Sequence, residues 1–303
     1  MGRLDIIGAP SSAGAYAPGQ ERAPEAMRAA GLLSQLTERG IAVNDRGDVP
    51  GFRWRVDREN PRAMNAERVA AVARAVADRV ATSLAEGASL LVLGGDCTVE
   101  LGTVAGASLD IDDFGLVYID LDADLNTPQS TEDGALDWMG VAHLLGLEGT
   151  AEGLARLGPR WPMLRPDQVA FFATDNVTPF ERGVIEARAI EEVPLATVVV
   201  DPASAARGLV DGWAGRFERL LIHVDVDVLD YLDLPIAEES RRNRGLRLPQ
   251  LAAALREFVA APNWVALTIG EVNPDHGELD GSTLRAFNDV LADALAAAPR
   301  LRG

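Results

Sequence analysis

Residues 114–126 read FGLVYIDLDADLN, and residues 220–230 read LLIHVDVDVLD. Each begins as an apolar run of strand length and ends in aspartates two residues apart. A run without polar alternation marks a strand covered on both faces, as in a parallel sheet. Two other runs have the same form: SLLVL (89–93) leads into Gly94-Gly95-Asp96-Cys97, and WVALTIG (264–270) into Glu271-Val272-Asn273-Pro274. RLDIIGA (3–9), IAVNDRG (41–47), QVAFFA (168–173) and ATVVV (196–200) bring the strand candidates to eight.

Helical patterns lie between these runs. Asn65 stands as an N-cap before AERVAAVARAVADRVATSLAEG (66–87), whose Ala/Val/Leu stripe repeats every 3.6 residues and whose Gly87 can end the helix. Segments 204–218, 249–259 and 284–297 carry the same spacing. Strands alternating with helices predict one α/β domain spanning residues 1–303, with three layers and a mostly parallel central sheet between helices. Segments 47–61 and 146–166 read as excursions from that sheet.

Composition limits the function. With 28 basic and 46 acidic residues the formal charge is −18, which leaves no spare positive charge for nucleic acid. One cysteine excludes a disulfide framework, and three histidines exclude a His-rich metal site. The start, MGRLDIIGAP, has an acid inside its short apolar run and no cleavage-like tail, so no secretory leader is expected. No apolar stretch reaches the ~18 residues of a membrane span. A cytoplasmic protein is the expectation.

Ligands of open α/β sheets bind beyond the carboxyl ends of the strands, where the acids of this chain are concentrated. In an extended segment, two-residue spacing places Asp120, Asp122 and Asp124 on one side, and Asp225 with Asp227. Taken singly, each acid is most simply a solvated or helix-capping group. As a set, crowded carboxylates repel unless a cation sits among them. Five aspartates with a possible Cys97 thiolate can hold one or two divalent cations, and their oxygen-rich character favours Mn²⁺, Mg²⁺ or Ca²⁺.

In order along the chain, these motifs resemble those of the arginase (ureohydrolase) family. Gly94-Gly95-Asp96-Cys97-Thr98 is similar to its Gly-Gly-Asp-His-Ser, and Asp120-Leu121-Asp122-Ala123-Asp124 to its Asp-Ala-His-x-Asp. Asp225-Val226-Asp227-Val228-Leu229-Asp230 resembles Asp-x-Asp-x-x-Asp, and Glu271-Val272-Asn273-Pro274 resembles Glu-x-Asn-Pro. The N-terminal segment from Ile7 to Pro50 also looks like that of an arginase. The resemblance implies an arginase-type fold and a pair of Mn²⁺ ions. Asp120 and Asp225 would bridge the metals, Cys97 and Asp124 would complete one site, and Asp122 and Asp227 the other. A cationic guanidino or amidino substrate would pair with Glu271, water would attack its carbon, and urea or a substituted urea would leave. It also implies a homo-oligomer, a trimer or hexamer.

The chain departs from that pattern at each usual histidine. Cys97 and Asp122 stand at two ligand positions, and Asp137 where the family has a proton-shuttling His. Four aspartates with neutral imidazoles balance two divalent ions (−4 + 4 = 0), whereas six anionic ligands leave −2. The extra charge strengthens cation binding and makes bound water less acidic. In the segment that resembles the substrate-gripping loop, Asn126 and Thr131 are kept. Asp133 replaces a Ser and would repel a carboxylate. Thr178 stands where an acid faces the substrate ammonium, and Glu238-Glu239-Ser240-Arg241-Arg242-Asn243-Arg244 replaces a Gly-Thr loop. Plain L-arginine is therefore not the expected substrate. The counter-expectation is a catalytically inactive, metal-free regulatory or structural subunit. His143 is expected to pack in a helix, and His276 to sit in the polar loop after the Glu271 strand end, with the pocket rim as the less favoured position. His223, two residues before Asp225, lies either beneath the site or facing it.

Overall fold

The computed structural model describes residues 2–213, 215–240 and 243–302. Eight strands form one sheet: β1 (Arg3–Gly8), β2 (Ala42–Asp48), β3 (Ser89–Leu93), β4 (Phe114–Ile119), β5 (Val169–Thr174), β6 (Glu191–Pro194), β7 (Arg219–Asp225) and β8 (Trp264–Gly270). Every neighbouring pair is parallel, in the order β2-β1-β3-β8-β7-β4-β5-β6.

Among the described residues eleven α-helices accompany the strands: α1 (Ala23–Ala29), α2 (Leu32–Glu38), α3 (Ala66–Ala85), α4 (Val99–Ala107), α5 (Gly140–Leu144), α6 (Glu152–Ala155), α7 (Pro179–Arg188), α8 (Leu195–Val198), α9 (Pro202–Trp213), α10 (Leu248–Ala260) and α11 (Ser282–Leu295). They make two outer layers because strand side chains alternate between faces. Leu91, Leu93, Ile222 and Val224 point to one core, closed by α1, α2 and α8–α11. Leu90, Val92, Leu116 and Leu221 point to the other, closed by α3–α7. In the second core, α4 lies tight on α3: a Cβ on Gly102 would meet the Ala73 carbonyl at 2.5 Å.

Strand order places the ligand edge. After β3 the chain skips over to β4 and moves away through β5 and β6, and β7 and β8 later fill the gap. The register puts Leu93, Ile269, Val224 and Ile119 in one row across four central strands. The residues just beyond that row are the acid-bearing turns, so four motifs distant in sequence open onto one crevice at the topological switch point.

Three local expectations are corrected. ATVVV is not a strand: the eighth strand is β6, Glu191–Pro194, and residues 195–198 form α8. Its charged residues suit an exposed sheet edge, while Pro194 lacks an N–H and starts the helical turn. Asn65 does precede α3, but with φ 57° and no side-chain cap; its carbonyl accepts from Arg68 and its amide group donates to Arg55. Segment 204–218 is helical only to Trp213. Among the described residues no helix is long and apolar enough to cross a membrane.

Candidate active site and metal centre

The turn after β4 is built by its own acids. Asp120 Oδ1 accepts the N–H of Asp122 at 2.8 Å, and the turn after β7 repeats the device with Asp225 Oδ1 and the N–H of Asp227 at 2.8 Å. These turns bring Asp120, Asp122 and Asp227 together, with one carboxylate oxygen of each within 4.8 Å of the others. Asp124 does not join them by extended-strand alternation. Its backbone turns to φ 50°, and its carboxylate accepts from the Tyr118 hydroxyl beneath the turn.

The β3 and β8 ends meet the same crevice. Gly95 passes so close to Ser11 that a Cβ would lie 1.7 Å from its carbonyl oxygen. That approach lets Asp96 receive N–H bonds from Gly14 at 2.9 Å and Thr98 at 3.0 Å. Glu271 has φ 63°, a conformation that costs an L-residue about 1–2 kcal/mol. It is held by its N–H on Gly95 O at 2.8 Å and by Glu238 N–H on its carbonyl at 2.9 Å. Its carboxylate accepts from Cys97 N–H at 2.8 Å and Gln20 Nε2 at 3.0 Å. Strained backbone thus marks two site residues, Asp124 and Glu271.

Cys97 Sγ lies 3.2 Å from His223 Nε2 and 3.3 Å from Asp225 Oδ2. His223 reaches it from β7, stacked on Tyr118 with centroids 4.3 Å apart, with Nδ1 3.4 Å from Glu100. His223 therefore lies beneath the site. His143 is packed in α5 between Met139 O (2.7 Å) and Ala151 N–H (3.1 Å), and burial lowers its pKa to about 4. His276 bonds Ala237 O at 2.6 Å, away from the acidic cavity.

Above these turns lies a cavity of about 550 Å³. Nine of its fourteen lining residues are Asp or Glu, and none is a described cation. Asp133, Asp137 and Glu239 are on its wall with the metal candidates Cys97, Asp122, Asp124, Asp225 and Asp227. Asp120 lies deeper, with no exposed surface. Thr178 is drawn off as the N-cap of α7, its Oγ1 accepting from Glu181 N–H at 3.3 Å. Asn126 is buried, its Oδ1 accepting from Ser130, and Thr131 Oγ1 accepts from Asp133 N–H. Neither lines the cavity. Arg241 and Arg242 lie outside the described residues; Arg244 pairs with Asp175 at 3.2 Å.

The electrostatics follow from crowding. Burial, then Asp225 and Asp227, push the Asp120 carboxyl well above its usual range. Burial raises Asp124 despite the Tyr118 bond, and burial with Asp137 and Asp225 raises Glu271. Asp137 and Cys97 are raised by burial and by the neighbouring carboxylates. A cation among them would offset this crowding. Asp120 Oδ2 supports this: it is buried and has no hydrogen-bond partner among the described residues. The oxygen donors beside it suit a hard divalent ion.

Sequence reading missed several members. Asn176 donates to Asp122 at 2.6 Å, Gln20 to Glu271, and Tyr16, Trp138 and Glu238 line the cavity. Only Thr178-Pro179-Phe180-Glu181 carried a legible local signal, that of a capping box.

Comparison with known proteins identifies the family and the fold. A model of the Arginase family matches residues 3–297. The chain belongs to the arginase family. It is 28% identical to Arginase-1 of Homo sapiens over 298 residues, which cover 97% of this chain and 92% of that protein. Its fold superposes on arginase from Bacillus caldovelox with a TM-score of 0.87 at 24% identity, covering 97% and 98% of the two chains. Proclavaminate amidino hydrolase from Streptomyces clavuligerus shares the fold with a TM-score of 0.72 at 17% identity, covering 100% and 93%.

Proposed function

We propose that this arginase-family chain is a metal-dependent hydrolase that cleaves a C–N bond of a cationic guanidino or amidino compound other than plain L-arginine, releasing urea or a substituted urea and an amine. The observation that carries it is the convergence of Asp120, Asp122 and Asp227 at the floor of a carboxylate-lined cavity. Asp120, Asp122, Asp124, Asp225 and Asp227 are the residues to hold Mn²⁺, or another hard divalent ion such as Mg²⁺. A bound cation supplies the Lewis acidity that makes water a nucleophile at neutral pH.

The chain's own groups do the rest. Glu271, fixed by Cys97 N–H and Gln20, presents a carboxylate to a guanidinium and orients it. Asp137, raised toward its protonated form on the cavity wall, is placed to give a proton to the departing amine. Asp133, Glu238 and Glu239 favour a substrate whose far end is neutral or positive, because a carboxylate there would be repelled. The named relatives, arginases and a proclavaminate amidino hydrolase, support the class and differ in their substrates. We further propose that the chain acts on a small molecule as a homo-oligomer, as its family resemblance implies.

A panel of guanidino compounds tests this with added Mn²⁺, measuring urea release and bound metal. Turnover of an N-substituted or polycationic member above L-arginine is expected. Metal-free protein with no turnover on any member overturns the reading. A second reading, a family member without catalysis serving as a regulatory or structural subunit, is favoured by one feature: Cys97 and Asp124 contact His223 and Tyr118 within the protein.

A further inference from the structure

The two halves of the expected metal pair are built differently. On one side, Asp120, Asp122 and Asp227 form the only three-donor group of this compactness among the described residues. Asp120 is fully buried and Oδ1 is committed to the N–H of Asp122, which leaves Oδ2 as an acceptor with no donor among the described residues. A buried carboxylate oxygen without a donor is expensive unless something outside the chain supplies the positive charge.

On the other side, protein groups already satisfy the donors. Cys97 Sγ has His223 Nε2 at 3.2 Å, and Asp124 has the Tyr118 hydroxyl. The ring stack of Tyr118 on His223 ties the two contacts together, and Glu100 lies 3.4 Å from the far nitrogen of the imidazole. Cys97, Tyr118, Asp124 and His223 are all nearly or fully buried, so loosening one contact would leave the others unsatisfied. The chemistry differs as well: a thiol beside an imidazole suits softer metals, whereas three carboxylates suit hard ones.

We infer that this chain holds one hard divalent cation, at Asp120, Asp122 and Asp227, and that the Cys97–His223 contact with Tyr118–Asp124 closes the second position of the pair. The inference rests on the metal-dependent reading above and sharpens it. His223 thus acts as a positioning residue that holds the thiol back from metal.

The test is metal stoichiometry on the full chain, stripped with chelator and titrated with Mn²⁺ by calorimetry and electron paramagnetic resonance. One equivalent with an isolated-ion signal is expected. Two equivalents with an exchange-coupled signal overturn the inference and leave the hydrolase reading standing, while no binding removes both. Titration with Co²⁺ reads the thiol directly. A thiolate-to-cobalt charge-transfer band at the first equivalent overturns the inference, and its absence supports it. Asp227→Asn should weaken Mn²⁺ binding at least about a hundredfold, whereas Cys97→Ser should shift it less than about threefold and keep one equivalent. Circular dichroism on both variants confirms that each is folded, and a Cys97→Ser chain that is folded but loses an equivalent overturns the inference.

Discussion

Two buried aspartates in this sheet have opposite lives. Asp5, inside β1, has no exposed surface and is met by two cations, Arg3 Nε at 2.6 Å and Arg46 Nε at 2.7 Å, and by the neutral amide of Asn44, Nδ2 at 2.9 Å. Burial alone would raise its pKa, but bonds from Asn44, Ser83, Arg46 and Arg3 carry it below the usual carboxylate range. Asp120, just past the end of β4, is equally buried and is surrounded by other acids, so its pKa moves up. A structural carboxylate brings its counter-charge from the chain. Asp120 has no such counter-charge among its described neighbours, and the acids around it push it toward its protonated form.

Substitution separates the two most sharply at the site. Asp120→Asn should weaken Mn²⁺ binding by about a thousandfold, roughly 4 kcal/mol, and remove urea release. Retained binding within tenfold, read by calorimetry, would show that Asp120 is no ligand.

His143 adds a third case, a buried base satisfied without charge. Its folded pKa of about 4 lies below the ordinary 6.5, so the unfolded chain takes up a proton first as pH falls. Its contribution to stability is complete above about pH 6.5 and is lost between there and pH 4, about 3 kcal/mol in all. Urea melts of the native chain and His143→Gln should diverge in their acid limbs. Parallel limbs would show that another group sets the acid sensitivity.

Asp5→Asn should destabilise the fold by about 2 kcal/mol, because Arg3 and Arg46 lose a charged acceptor yet remain partly solvated. In metal-free protein, Asp120→Asn should do the reverse and stabilise by about 1 kcal/mol, since it removes like-charge repulsion. Chemical denaturation measures both. If the two substitutions change stability in the same direction, the contrast between the two aspartates is wrong.

How much of this was legible depends on range. The eight-strand parallel sheet followed from apolar runs and their acid-bearing ends, and seven of those runs became the strands read from them. ATVVV misled because β-branched residues look like a strand wherever they fall, while the true edge strand, Glu191–Pro194, is charged and short. The acids were visible as a set, but their grouping was not. Spacing suggested that Asp124 would join Asp120 and Asp122, and a left-handed turn sent it to Tyr118 instead. The His223–Cys97 contact depends on how β7 and β3 sit across β8, which no local pattern encodes. Gln20 on Glu271 is likewise a contact across 251 residues.

The strand order also fixes a timetable. β7 and β8 lie between β3 and β4, so a chain synthesised only through α9 has two inner strand edges with nothing beside them. Open edges of this kind invite pairing with other chains. It also has Asp120 and Asp122 without Asp227, and Cys97 without His223. The last third of the chain therefore both closes the sheet and completes the acid group. The repulsion among these acids is met only once the rest of the domain is in place, and a cation that binds the closed form would stabilise it.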